Sequence, residues 1–487
     1  MNDTPEPRSL RHQLNVYVPS APCLGFGFWF AWNLVAFSGS VWNTQDDSTL
    51  LISYLFIFHL LASVATLLIF ALGKDSFHHL VMSRRYLAAG AVVGCAGTLA
   101  MILGASAQLS SVTLFVVGAV LAGVGTSFLL IRSFTIFSLV TPRKSFIAIS
   151  LCALFAIATY FFIEAYSLVL SATLFCLLPV LSALFLGLKE YSSHDLRLIG
   201  TTTRLPHRFS SLLLAIFAYS LCQEITKGYM LATLTASEAV LCMRYVMLAL
   251  VVLMVLFVML AVMFPPDFSM GRVFYPLALG FILPQLAVPF LDMVPVFGAA
   301  GIDFAGYGFD LFVWSICAYL AFQMQGNAIK ILGLCTAALS AGLALGSTAS
   351  LLIAGAQLTT AQFLPINFVL VLICILVTVF VFPEKRLSEL LLPVQEDADE
   401  AVTVQTQKAL WRQAAQEVAL RGGLTTRETE VFVRVAKGLT AQEVADELVV
   451  SVHTVRAHIR NIHSKLEVST RADITRLIEE ERDTPRG

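Results

Sequence analysis

LTTRETEVFVRVAKGLTAQEVADELVVSVHTVRAHIRNIHSKLEVSTRADITRLIEEE, residues 424–481, is built of short helical phrases, each with its own start signal. Thr425 followed by Glu428 is a capping box, in which each side chain satisfies a backbone N–H of the other. It predicts a helix to about Lys437, stopped by Gly438. Thr440 and Glu443 repeat the device and predict a second helix to about Leu448. Val449 and Val450 make a tight turn, and Ser451 caps a third helix. Its apolar residues Val455, Ile459, Ile462 and Leu466 recur at four, three and four, the spacing of one helix face. Thr470 caps a fourth helix carrying Ile474, Leu477 and Ile478.

Two short helices joined by a tight turn, the second longer and basic, suggest a helix-turn-helix. Opposite its apolar stripe the third helix presents Arg456, Arg460 and Lys465, with His453, His458 and His463. A recognition helix lies in the DNA major groove with its N-terminal part at the base edges. The segment resembles the LuxR-type helix-turn-helix, the C-terminal module of many bacterial regulators. The resemblance rests on Leu424-Thr425-Thr426-Arg427-Glu428, Gly438-Leu439-Thr440, Glu443, Val444, Ala445 and Leu448. Val450-Ser451, Thr454-Val455, His458-Ile459, Lys465-Leu466, Val468 and Arg471 extend it. Glu467 stands where the family often has Gly. The resemblance implies that Arg456, Ala457 and Arg460 reach bases, with His458 beside them, and that Thr454 and Lys465 hold phosphates. Arginine forks suit guanine edges, and a hydroxyl and an ammonium suit phosphate oxygens. It also implies a homodimer through the fourth helix, about 470–481, reading paired half-sites of double-stranded DNA.

Upstream lies a linker, residues 383–423. It carries the acidic run Glu396-Asp397-Ala398-Asp399-Glu400, then a stretch near 403–421 with Leu410, Trp411, Ala414, Val418 and Ala419 on one broad face. That stretch is expected to be a dimer contact, a membrane-surface helix or plain spacer. Gly422-Gly423 breaks it. A receiver domain needs upward of about a hundred residues, which the linker cannot hold.

The rest of the chain has a different composition. Overall 57% of the 487 residues are hydrophobic and 13% charged, with a net charge of −1. Soluble domains average about 45–50% apolar and about 25% charged, so most of this chain is expected to be solvated by lipid. Charge crowds into roughly the last hundred residues. A spanning helix needs about 20 mostly apolar residues, and about twelve segments qualify. They lie near 21–42, 49–72, 86–106, 112–134, 146–164 and 168–188, then near 210–230, 244–264, 273–291, 303–323, 331–355 and 363–382. Residues 1–20 precede them as a cytoplasmic segment and 482–487 form a tail. The first apolar run is too long for a cleaved signal peptide. With the N-terminus inside, cytoplasmic segments hold roughly fourteen Lys and Arg, and the outer loops only Lys227 and Arg244. An even number of spans returns the C-terminus to the cytoplasm.

Six helices, a charged connector over Lys189–Arg208 and six more resemble the major facilitator superfamily. Gly73, Lys74, Asp75, Arg84 and Arg85 are similar only loosely to that family's loop between helices two and three, and its Gly-Arg-Lys-type ending is missing. The fold class expected is therefore all-α: a polytopic membrane bundle of about 12 spans, 6+6, over 21–382, and a small four-helix helix-turn-helix domain over 424–481. The whole layout resembles a group of actinobacterial regulators that fuse such a module to a LuxR-type domain.

Ionisable groups inside spans are expensive and point to function. Asn33, His59, Arg132, Glu164, Gln223, Glu224, Lys227, Asp303 and Asp310 are the polar residues within or near the spans. Glu224 and Lys227 share a helix face and can pair, with Gln223 beside them; a structural pair or an interfacial helix end is the simpler account of them. Asp310, inside the tenth span, needs a partner or a water cavity. Gln223, Glu224, Lys227, Asp303 and Asp310 are thus the candidate ligand-binding residues. Gly342 and Gly346 are spaced for close helix packing. The nine cysteines lie in or beside apolar segments without metal-ligand spacing and are read as small core residues.

No phosphate loop, zinc signature or catalytic constellation is present, so neither an enzyme nor a metal or cofactor is expected. The reading is a one-component transcriptional regulator in the bacterial inner membrane, with both termini cytoplasmic and an unknown small-molecule ligand. The alternatives are a major-facilitator-like transporter carrying a regulatory domain, and a tail that binds protein instead of DNA.

Overall fold

The computed structural model describes residues 20–38, 48–73, 80–106, 111–189, 191, 205, 209–263, 279–290, 295–323, 328–381, 414–436, 439–448, 450–466, 468, 473–474, 477 and 481. Several sequence expectations lie outside these residues: the N-terminal segment, most of the connector and linker, Gly438, Glu467, the tail, and most of the fourth helix of the C-terminal domain. The chain divides into two compact units, Met1–Val394 and Gln395–Gly487.

In the first unit a 3-10 turn, Ala21–Cys23, leads into α1 (Leu24–Ser38). The remaining helices of its first half are α2 (Ser48–Leu72), α3 (Arg84–Ala105), α4 (Val112–Phe137), α5 (Pro142–Glu164) and α6 (Leu168–Leu186). The second half has α7 (Phe209–Ala232), α8 (Ala236–Met263), a 3-10 helix Leu283–Phe290, α9 (Pro295–Gln323), α10 (Ala328–Gly355) and α11 (Thr360–Val381). Among the described residues ten helices are long and apolar enough to cross a membrane, and Ala21–Phe37 is a shorter apolar one. Of the candidate at 273–291 only residues from 279 on are described: 279–280 are helical, and after a turn Leu283–Phe290 winds as a 3-10 helix. Pro284 and Pro289 each remove a backbone donor there.

Lipid replaces water as solvent for this unit, as its surface shows. Val169, Leu184, Leu214, Val252 and Leu352 all lie on the outside, each more than three-fifths exposed. With no hydrophobic drive between helices in lipid, close packing holds them together, and small residues permit it. A Cβ added at Gly97 or Gly125 would collide with the backbone of the facing helix, so α3 and α4 touch main chain to main chain. Gly342 and Gly346 press α10 on α7 in the same way, where added Cβ atoms would meet Phe217 O at 2.5 Å and Glu224 Cβ at 2.7 Å. The two halves meet along α2 against α10 and along α5 against α8. At the second seam Arg143 of α5 donates to Ala261 O (2.6 Å) and Val262 O (2.8 Å), satisfying carbonyls at the end of α8. Seven of the nine cysteines are buried and none is bridged.

In the second unit residues 414–421 are helical, followed by α12 (Thr426–Ala436), α13 (Ala441–Leu448) and α14 (Val452–Leu466). The amphipathic stretch before Gly422 is part of this domain's core: Ala414, Ala415, Val418 and Ala419 pack with Val431, Phe432, Val444, Val455 and Ile462. Gly423, at φ 61°, ends it. Its N–H donates to Leu420 O and that of Leu424 to Ala419 O, the paired bonds of a Schellman motif that needs a left-handed residue.

Candidate nucleic-acid interface and membrane cavity

The start signals read from residues 424–481 are formed. Thr425 N donates to Glu428 Oε2 (2.8 Å) and Glu428 N to Thr425 Oγ1 (3.3 Å). Thr440 and Glu443 make the same exchange at 2.7 and 3.3 Å. Thr454 N donates to Ser451 Oγ at 3.0 Å, which caps α14. Arg427 donates to Leu448 O at 3.1 Å and so fastens the end of α13 just before the turn into α14. Val455 and Ile462 of α14 are buried, with Ile459 and Leu466 packed beside them. That burial turns Thr454, Arg456 and Arg460 to solvent, with Ala457 and His458 half-buried.

Lys465 is placed differently from a free phosphate ligand. Its Nζ donates to Glu428 Oε2 at 2.7 Å and to Gly423 O at 3.1 Å. One carboxylate thus caps α12 and holds α14 against it. The Lys465 ammonium, with the hydrogen bonds from Thr425, holds the Glu428 carboxyl at about 2, well below the usual 4.5. These bonds engage two of the three ammonium N–H groups, and the side chain is over a third exposed.

The membrane unit encloses a cavity of about 90 Å³ lined by α1, α2, α4, α7, α9 and α10, so both halves contribute. Three of the five candidate ligand residues, Glu224, Lys227 and Asp310, are in its wall. Asp303 is fully buried and touches the cavity only through Lys227, whose Nζ lies 3.2 Å from Asp303 Oδ1 and 3.6 Å from Glu224 Oε2. Ser347 donates to the other Glu224 oxygen at 3.2 Å. Lys227, assigned to an outer loop by charge counting, is therefore inside the bundle. Gln223 points elsewhere, donating to Phe281 O at 3.0 Å, though it lines a smaller adjoining pocket.

The wall also contains residues that pattern reading left unassigned. Asn33 and His59 stood out only as polar residues in spans. His59 shares a 3.1 Å hydrogen bond with Thr126 Oγ1 and stacks on Trp32. Trp29, Phe37, Phe56, Tyr307 and Trp314 give the cavity an aromatic lining that no sequence signal marked, because aromatic residues are equally at home facing lipid. The described residues contain no group of three or more His, Cys, Asp or Glu placed to hold a metal ion.

These geometries define a multi-pass membrane protein that ends in a helix-turn-helix DNA-binding domain. Residues 423–478 match the family of bacterial regulatory proteins, luxR family. The transcriptional regulatory protein LiaR of Bacillus subtilis is 48% identical over 48 residues, 10% of this chain and 23% of that protein. The chain thus spans less than a quarter of the length of the curated relatives it matches, and the likeness is confined to the C-terminal domain. The membrane unit is similar in fold to transporters of the major facilitator superfamily. The proton:xylose symporter XylE superposes with a TM-score of 0.53 at 14% identity, covering 76% of this chain and 97% of that one. The E. coli fucose:proton symporter FucP gives 0.51 at 14% identity, with 74% and 96% covered. The C-terminal domain is accordingly a LuxR-type helix-turn-helix, and the membrane domain has a major-facilitator-like fold.

Proposed function

We propose that this protein is a one-component transcriptional regulator: a small ligand in the membrane cavity sets the affinity of the C-terminal domain for promoter DNA. The observation that carries the reading is the union in one chain of a LuxR-type helix-turn-helix domain and a helical bundle enclosing a charged cavity. On this reading Arg456, Ala457 and Arg460 of α14 meet base edges, His458 lies beside them, and Thr454 and Lys465 meet phosphates. The segment around 470–481 pairs two tails on adjacent half-sites. The bundle sits in the bacterial cytoplasmic membrane with both termini inside, a placement supported by the concentration of Lys and Arg in alternate loops. The domains run 21–382 for the membrane module, 383–423 for the linker and 424–481 for the reader, and the protein is not an enzyme.

A ligand shifts DNA affinity only if it binds one arrangement of the protein better than another. The test is promoter binding by the full chain in nanodiscs, titrated with salt and DNA from beside its own gene. A salt-sensitive footprint is expected; no binding to any such DNA overturns the reading. A second reading, a transporter that also regulates, is favoured by the likeness of the bundle to proton symporters. Solute accumulation by proteoliposomes distinguishes it.

A further inference from the structure

The cavity region holds three carboxyl groups and one lysine: Glu224 and Asp310 line the wall with Lys227, and Asp303 is buried behind Lys227. The ion pairs of Lys227 go to Asp303 and Glu224, and among the described residues Asp310 forms none. Asp310 sits in the wall of a low-dielectric enclosure, where an ionised carboxylate is costly until a counter-charge arrives. Much of the remaining wall is aromatic. The Lys227 ammonium already lies 4.9 Å from the ring centre of Phe56 and 5.5 Å from that of Tyr307, so these rings face a cation inside the cavity. Trp29, Phe37 and Trp314 complete the surround.

A carboxylate without a partner and several ring faces are the chemistry that recognises an organic cation. Among the described residues no three His, Cys, Asp or Glu are placed to hold a metal ion. A proton would neutralise Asp310 without occupying the cavity. The cavity volume, about 90 Å³, holds on the order of six to nine water-sized positions, which sets a compact ligand.

We infer that the cavity binds a small organic ammonium or quaternary ammonium ion, with Asp310 as its counter-ion and the rings of Trp29, Phe56, Tyr307 and Trp314 around its apolar body. This rests on the reading of the cavity as the ligand site, and it adds the ligand's charge and class.

The experiment measures binding to the full chain in nanodiscs by equilibrium dialysis and thermal shift. Choline and benzylamine are the cationic probes. Their neutral counterparts are 3,3-dimethylbutan-1-ol and benzyl alcohol, and benzoate is the anion. At least one cation should bind saturably and at least tenfold more tightly than its neutral counterpart, with no binding of benzoate. Asp310→Asn should remove that preference. Phe56→Leu, which keeps every carboxyl group, should weaken the cation severalfold and leave the alcohol unchanged, so the test survives if Asp310→Asn does not fold. A preference below tenfold for both cations, tighter binding of benzoate, or saturation by neither cation overturns the inference. A promoter-binding assay on the same samples separates this from the sensor reading. If a cation binds with the stated preference and DNA affinity is unmoved, the site stands and the regulator reading falls. If only uncharged or anionic compounds move DNA affinity, the reverse holds.

Discussion

Lys465 and Lys227 make nearly the same contact in two different solvents. Lys465 Nζ lies 2.7 Å from Glu428 Oε2, and over a third of its side chain is in water. Lys227 Nζ lies 3.2 Å from Asp303 Oδ1, with only 13% and 1% of those side chains exposed. The first pair is cheap to open, since water or a DNA phosphate can take over either partner. The second has no such substitute, because losing one partner strands the other in a low-dielectric interior. One lysine is thus free to change partners and the other is fixed in place as part of the cavity wall.

The sharpest way to break that comparison is Lys227→Met. It leaves Asp303 and Glu224 uncompensated and should cost about 3–5 kcal/mol in thermal unfolding in nanodiscs. Adding Asp303→Leu should recover much of the loss; an unaffected single variant would show that the buried pair is not holding the bundle. Next in size, Arg456→Ala and Arg460→Ala should each cost about 1–3 kcal/mol of specific DNA binding by quantitative footprinting, relaxing preference at the contacted base. Lys465→Ala should instead weaken all sequences alike and lower the salt slope by about 1. Thr425→Ala removes one half of a capping box and should cost the C-terminal unit about 1 kcal/mol in chemical denaturation.

The smallest effect is in pH. Glu428 has a folded value near 2 against an ordinary 4.5, so its contribution to stability is fully present above 4.5 and lost as pH falls towards 2. Glu428→Gln should flatten that acid limb of the stability profile, measured on the Gln395–Gly487 unit.

The two regions also differ in how legible they were. The caps of α12, α13 and α14 are exchanges between residues three apart, so the string 424–454 contains both partners of every one. The stripe Val455, Ile459, Ile462, Leu466 assigns the faces of α14, and with them the outward turn of Arg456 and Arg460. What that string does not reveal is the second role of Glu428, because Lys465 reaches it only when α12 and α14 cross. Nor does it reveal that Ala414–Ala419 belongs to the reader's core; the amphipathic pattern was visible, its partner was not.

For the membrane unit, sequence alone determined where the apolar runs lie, that they need lipid, and that ionised groups among them require an explanation. Tertiary structure decided which of those groups meet. A helix that is apolar on every side gives no periodicity from which to read its inward face. Lys227 and Asp310 therefore become cavity wall, and Asp303 the support behind Lys227, only once α7 and α9 pack side by side, and the aromatic rings of α1, α2 and α9 become a lining only once the two halves close around them.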